Sequence, residues 1–203
     1  RLNTVNHAPV AIDAGAARHT SYPVITNAAG AAVVVTSPAG DVTNATVDHI
    51  EIRDSYVGIS DGPGLPENGY ASVNDVRIIG TGPSQRGVDI TAQGTGINTL
   101  NFTNMYLDGL TRDGFSVTPA PGATSDPRVN ISSSLITNIG GSGVTTENLV
   151  GLSRVRLEDV TIEKTSAAGV YVRNSQATVY RSEIQFAGLA GVEVVDQSIV
   201  QVV

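Results

Sequence analysis

The sequence predicts an all-β solenoid of stacked coils, and three observations carry that prediction. A glycine followed by an apolar residue returns at Gly58-Ile59, Gly87-Val88, Gly114-Phe115, Gly143-Val144, Gly169-Val170 and Gly191-Val192, with gaps of 29, 27, 29, 26 and 22 residues. Self-similarity at such a period marks a repeat architecture. A second ladder, Ile52, Ile78, Leu107, Ile136, Ile162 and Ile184, runs in phase with the first, its last four members standing seven residues before the next glycine. Five and seven positions before each of these, apolar residues recur: Val47 and Ala45, Val73 and Ala71, Phe102 and Leu100, Ile131 and Val129, Leu157 and Val155, Val179 and Ala177. Alternation with period two is the signature of strands.

Each unit therefore reads as three short strands. A Gly-apolar-x-apolar strand comes first, then after a variable loop an apolar-x-apolar strand, then a polar corner and a third short strand. No segment carries the periodicity of a long amphipathic helix. The corner stands three residues before the second-ladder position and holds His49, Asp75, Asn104, Ser133, Asp159 and Arg181. Asp, Asn and Ser satisfy tight turns with their own side chains, so this column reads as turn chemistry. The regular coils run over residues 45–203. Residues 1–44 read as irregular first coils, with Pro9-Val10-Ala11-Ile12 and Gly30-Ala31-Ala32-Val33 as degenerate glycine strands and Ala11 to His19 as a candidate covering helix. The expectation is one elongated domain of about seven coils.

Residues 155–172, from Val155-Arg156-Leu157-Glu158-Asp159-Val160-Thr161-Ile162 to Gly169-Val170-Tyr171-Val172, state the pattern most clearly. It resembles the right-handed parallel β-helix of the pectin-lyase-like superfamily. The resemblance covers about residues 45–203 and implies a fold; the superfamily includes lyases, hydrolases, esterases, tailspikes, adhesins and surface proteins, so it implies no single activity. The polygalacturonase-type elements Asn-Thr-Asp, Asp-Asp, Gly-His-Gly and Arg-Ile-Lys are absent. Arg77-Ile78-Ile79 lacks the lysine, and Val47-Asp48-His49 echoes the pectate lyase Trp-Ile-Asp-His element without its tryptophan.

Composition narrows the function classes. The net charge is −7 and the aromatic content 4%, with no Trp and no Cys. An acidic chain lacks the basic face that a phosphate backbone requires, which argues against nucleic acid. Without cysteine there are no disulfides, thiolate metal sites or thiol nucleophiles. No stretch approaches the roughly 20 apolar residues of a membrane span. The single lysine, Lys164, stands against eleven arginines. His7 and His19 have no partners at metal-ligand spacing, so no metal site is expected. Calcium, the cofactor that the resemblance implies for a pectate-lyase relative, would fall to Asp54, Asp61, Asp108 and Asp113, yet no dense Asp-x-Asp-x-Asp loop is present. Three sequons, at Asn44, Asn101 and Asn130, permit glycosylation in a suitable secretory pathway.

In enzymes of the superfamily the active site lies on the outward face of the glycine strand. The outward positions here are Ser60, Asp89, Ser116, Thr145, Tyr171 and Glu193. Longer loops at 61–70, 91–98 and 118–128 place a groove near the second and third coils. Catalytic candidates there are Asp89, Asp113, Arg86 and Arg112, with carboxylates as acid or base and arginine as the partner of a sugar carboxylate. Candidate ligand contacts are Asp61, Tyr171, Arg173 and Glu193. Phe102, Phe115 and Phe186 read as interior. The last strand, Ser198 to Val203, is apolar, which suggests a longer solenoid or stacking on a neighbour. The expected function is an extracellular or cell-surface scaffold, of bacterial type, that is adhesin-like or filament-forming through self-association of its ends. The alternative is a module that binds or degrades an acidic polysaccharide.

Overall fold

The computed structural model describes residues 2–3, 22–35, 44–61, 70–82, 85–92, 95–149 and 154–203. Pro9 to Ile12 and Ala11 to His19 lie outside them. Every regular element among the described residues is a strand. The glycine strands Ala31–Val35, Val57–Asp61, Arg86–Ala92, Phe115–Pro119, Val144–Glu147, Val170–Arg173 and Val192–Val195 pair in parallel in chain order. The second and third strands of each coil build a twelve-stranded sheet, running on without a break in Asn44–Arg53 and Tyr70–Ile79 and separating from Thr95–Thr103 and Tyr106–Asp108 onward. One short strand, Leu2–Asn3, lies antiparallel along Val34 and Val35. The molecule is thus a parallel solenoid of about six turns, against the seven expected. Seven parallel glycine strands enclose six intervals, and one of the two degenerate strands counted as a coil falls outside the described residues.

Register explains the ladders. Val33, Ile59, Val88, Phe115, Val144, Val170 and Val192 occupy one stacked inward column. Ile52, Ile78, Leu107, Ile136, Ile162 and Ile184 form the opposing one. Between them Phe102 and Phe115 meet edge to face, with ring centroids 5.2 Å apart. The glycines are needed where these columns close. A Cβ at Gly58 would stand 2.6 Å from the carbonyl oxygen of Gly87 and 2.7 Å from the Ile78 side chain; one at Gly114 would stand 2.6 Å from the Gly143 oxygen and 2.8 Å from Ile136. The ladder isoleucine of the following coil fills the space that a side chain would take.

All six predicted corner residues have left-handed backbones, with φ from 46° at Arg181 to 56° at His49. Asn and Asp tolerate this conformation best, but the bend imposes it on His and Arg as well. Two further left-handed columns escaped the sequence reading: Asn27, Asp54, Gly109, Asn138, Lys164 and Phe186 at the approach to the glycine strand, and Asn148, Asn174 and Asp196 beyond it. Phe186 corrects one expectation. It sits in that corner, beyond the inward alternation of Glu183–Gln185, and is 73% exposed, whereas Phe102 and Phe115 are buried.

A serine follows the left-handed residue at Ser55, Ser134, Ser175 and Ser182. Each hydroxyl donates to the carbonyl two residues back, of Arg53, Ser132, Arg173 and Tyr180 respectively. Each also accepts a backbone N–H from the preceding coil, of Ala28, Met105, Leu149 and Val160 at 3.0–3.2 Å. The bend breaks the strand ladder there, and the serine supplies the missing acceptor.

Candidate functional site

The outward column on the glycine face is as expected: Ser60 registers with Asp89, Asp89 with Ser116, Ser116 with Thr145, Thr145 with Tyr171, and Tyr171 with Glu193. Parallel pairing places one such side chain on every coil at about 4.8 Å intervals. The loop segments 62–69 and 93–94, expected to wall a groove beside it, lie outside the described residues. Part of the third, 118–128, is strand: Phe115–Pro119 ends within it and Thr124–Ser132 begins.

The four catalytic candidates divide into two unlike pairs. Arg86 and Asp89 are joined on the glycine face by an ion pair of 2.7 Å, both partly buried. Arg112 and Asp113 occupy the corner before Gly114. The Asp113 carboxylate accepts the backbone N–H of Ser142 at 2.9 Å, which ties one coil to the next, while Arg112 is exposed and enters no ion pair among the described residues. The corner pair is therefore structural on its acidic side. Tyr171 and Arg173 alternate along one strand, and Arg173 reaches back to Glu147 at 2.9 Å. Glu193 continues the outward column beside Tyr171, its register partner on the preceding strand.

Asp61 is the member that sequence reasoning placed imperfectly. It belongs to the strand itself, in line with Val35 and two residues beyond the inward Ile59. It is 7% exposed. Its Oδ1 accepts the Thr91 backbone N–H at 2.6 Å, and its Oδ2 is buried with no hydrogen-bond partner. Burial raises its pKa to about 7, against the lowering effect of the Thr91 N–H; the neighbouring Asp89 charge adds to the rise. Desolvation disfavours the carboxylate, and a second negative charge compounds it. Asp61 and Asp89 are thus neighbouring carboxyls in contrasting environments, one buried and readily protonated, the other held by arginine. Unlike environments of this kind separate an acid from a base.

The calcium candidates do not converge. Asp54 accepts the Thr81 N–H and hydroxyl at 2.9 and 2.7 Å, which hold its pKa below the usual carboxylate range. Asp108 accepts from Asn138 at 2.7 Å and from the Tyr106 hydroxyl at 3.1 Å. Among the described residues no group of three His, Asp or Glu side chains could hold a metal ion.

A second polar constellation lies on the twelve-stranded sheet. Tyr22 stacks on His49 with centroids 4.1 Å apart, its hydroxyl donates to Asp75 Oδ1 at 2.7 Å, and His49 Nδ1 lies 2.7 Å from Asp75 Oδ2. These two hydrogen bonds hold the Asp75 pKa down, Tyr22 first. Arg77 packs against the Tyr22 and Tyr106 rings and pairs at 3.2 Å with the buried Glu51, which also binds Arg53. Every polar head in it has a partner, so it reads as a plate that fixes the first coils.

Fold and faces together define a parallel β-helix solenoid with small polar outer surfaces. No family model, no curated protein and no solved structure matches the chain.

Proposed function

We propose that this chain is a structural β-helix: an extracellular or cell-surface scaffold, adhesin-like or filament-forming, in which coils extend by end-to-end stacking. The observation that carries this reading is the way outer polar side chains are engaged between coils. Asn74 donates to Asp48, Asn104 to Asn74, Asn130 to Asn101, Asn138 to Asp108, and four serines bridge coil to coil. Such ladders stiffen a solenoid along its axis and leave few side chains for chemistry. Stacking through the first described coil requires displacement of the Leu2–Asn3 strand, which borders Val34 and Val35. Electron microscopy and sedimentation of the purified chain test the reading. Filaments or end-joined particles support it; particles that stay monomeric at every concentration overturn it.

A second reading has one specific observation in its favour. Asp61, buried on the inward side of its strand, and the arginine-bound Asp89 on the outward side of the next are neighbouring carboxyls of unlike environment, the combination that an acid and a base for cleavage of a uronate polymer would need. Reducing-end or unsaturated-product assays on polygalacturonate, with Asp61→Asn and Asp89→Asn, decide it. Activity lost in both variants supports an enzyme, and no wild-type turnover, or turnover unchanged in the variants, sinks it.

A further inference from the structure

The second strands carry an outward face that the glycine-face reading leaves unexplained. Inward Val47, Val73, Phe102, Ile131, Leu157 and Val179 are buried, so their neighbours project outward. One outward column runs Thr46, Ser72, Asn101, Asn130, Arg156 and Thr178. The next runs Asp48, Asn74, Thr103, Ser132, Glu158 and Tyr180. Nine of the twelve carry a hydroxyl or an amide. Into this belt the chain sets arginines: Arg128 stands in register with Arg154 on the adjoining strand, and Arg156 lies two residues beyond Arg154.

Like charges directly opposite on neighbouring strands destabilise a sheet. Nothing described on this face relieves the pair. Glu158 is engaged by Arg156 and Arg181, both at 3.0 Å, and Asp159 by Arg181 at 2.7 Å. Neither Arg128 nor Arg154 forms an ion pair among the described residues, and Arg128 Nε is buried without a hydrogen-bond partner. Four arginines against two carboxylates leave the described side chains of this patch with an excess of two positive charges, on a chain whose net charge is −7. Beside the arginines a cleft of about 400 Å³ is lined by Asn101, Asn130, Ser132, Arg154, Arg156 and Glu158.

We propose that this cleft is a binding site for an acidic polysaccharide, whose carboxylate or sulfate groups sit against Arg154 and Arg156. The arginines supply the charge-assisted hydrogen bonds that such groups take, and the Arg128–Arg154 repulsion is relieved when an anion enters. The hydroxyl and amide columns offer hydrogen bonds to a hydroxyl-rich chain at one set per coil, about 4.8 Å apart, a spacing close to the length of one sugar ring. A nucleic-acid strand would ask for open aromatic platforms. Tyr180, the aromatic side chain of these two columns, is covered by Arg181, whose guanidinium carbon lies 4.7 Å from its ring centre, and Arg156 stands 5.8 Å from the same centre. The site names a ligand class for the adhesin-like reading but does not rest on stacking, since a single chain contains all of it.

Calorimetric titration of the full chain at a concentration where it sediments as one species tests this, with polygalacturonate, dextran sulfate, unmodified dextran and single-stranded DNA as probes. Binding of one or both acidic polymers, weakened by salt and absent for dextran, is the expected result; which polymer binds tells carboxylate from sulfate. Arg154→Ala weakens it and the double variant Arg154→Glu, Arg156→Glu lowers affinity by about tenfold or more, as removal of charged contacts does. Lys164→Ala, away from the cleft, keeps wild-type affinity. Midpoints of thermal unfolding at or above the wild-type value show that the arginine variants fold. Equal binding of dextran, tighter binding of DNA than of either glycan, no binding of either acidic polymer, or undiminished affinity in the folded double variant overturns the proposal. Particle association under microscopy is read separately, so failure of the stacking model and failure of this site are distinguishable.

Discussion

Gly143 and Gly191 occupy equivalent places in the repeat, yet their surroundings differ. A Cβ at Gly143 would meet the Gly169 carbonyl oxygen at 2.7 Å and press into the Ile162 side chain; at Gly191 the nearest atom to such a Cβ is Ile184 Cγ2, at 3.8 Å. The same contrast separates Ile162, fully buried, from Ile184, partly exposed, and Ser175 from Ser198. The interior coils need glycine because of the coil that follows them, not because of their own backbone. Repeat identity in this solenoid is a property of the interface between coils.

That contrast can be broken by a short series of variants. The largest effect belongs to Ile162→Ala, which empties a closed site and should lower stability by about 4 kcal/mol in chemical denaturation, against about half of that for Ile184→Ala. Equal losses would show that the last coil is covered in solution. Asp61 is the exception within the inward column, and its pH dependence comes next. Its folded pKa near 7 stands above the ordinary value of about 3.9, so the folded chain binds the extra proton between those limits. Stability therefore falls as pH rises from about 4 to about 7, by about 4 kcal/mol if the shift is fully expressed, and Asp61→Asn abolishes that slope. Asp54 and Asp75, whose pKa values are lowered, act in the opposite sense: their contribution is present above about pH 4 and is lost as pH falls through their folded values.

Gly143→Ala should cost about 3 kcal/mol through overpacking, whereas Gly191→Ala stays within about 0.5 kcal/mol in the unassociated chain. Should Gly191→Ala also abolish end-joined particles, the last glycine is itself an interface residue, as the stacking model requires. Ser175→Ala leaves the buried Leu149 N–H without its acceptor and should cost about 1–2 kcal/mol, read as a shift in the unfolding midpoint, with a smaller shift for Ser198→Ala, whose acceptor bond to Ser175 N–H is longer at 3.3 Å.

The strands were legible because inward residues recur at fixed phase: every member of the isoleucine ladder falls in the column expected of it, and the corner residues from His49 to Arg181 all turn left-handed. The serine bridges were less legible, because Ser55, Ser134, Ser175 and Ser182 fall in three different corners and a serine next to a turn residue is ordinary sequence. Phe186 was misjudged since hydrophobicity does not report a bend. The candidate site suffered most. Arg86 and Asp113 hold the same position before successive glycines, yet one pairs with Asp89 across its own strand and the other with a backbone N–H of the next coil. No spacing along the chain distinguishes those outcomes.

The sequence by itself determined the coil, its three strands and the face each ladder residue takes, because strand alternation and close approach at glycine are local or nearest-neighbour demands that repeat in every unit. Tertiary structure alone decided which polar groups lack partners. Burial and partnership depend on residues some 22–30 positions away, on the neighbouring coil, as the coil-to-coil hydrogen bonds show. Asp61 became a buried carboxyl, and Arg128 and Arg154 became neighbours without an ion pair among the described residues, only when the coils were stacked.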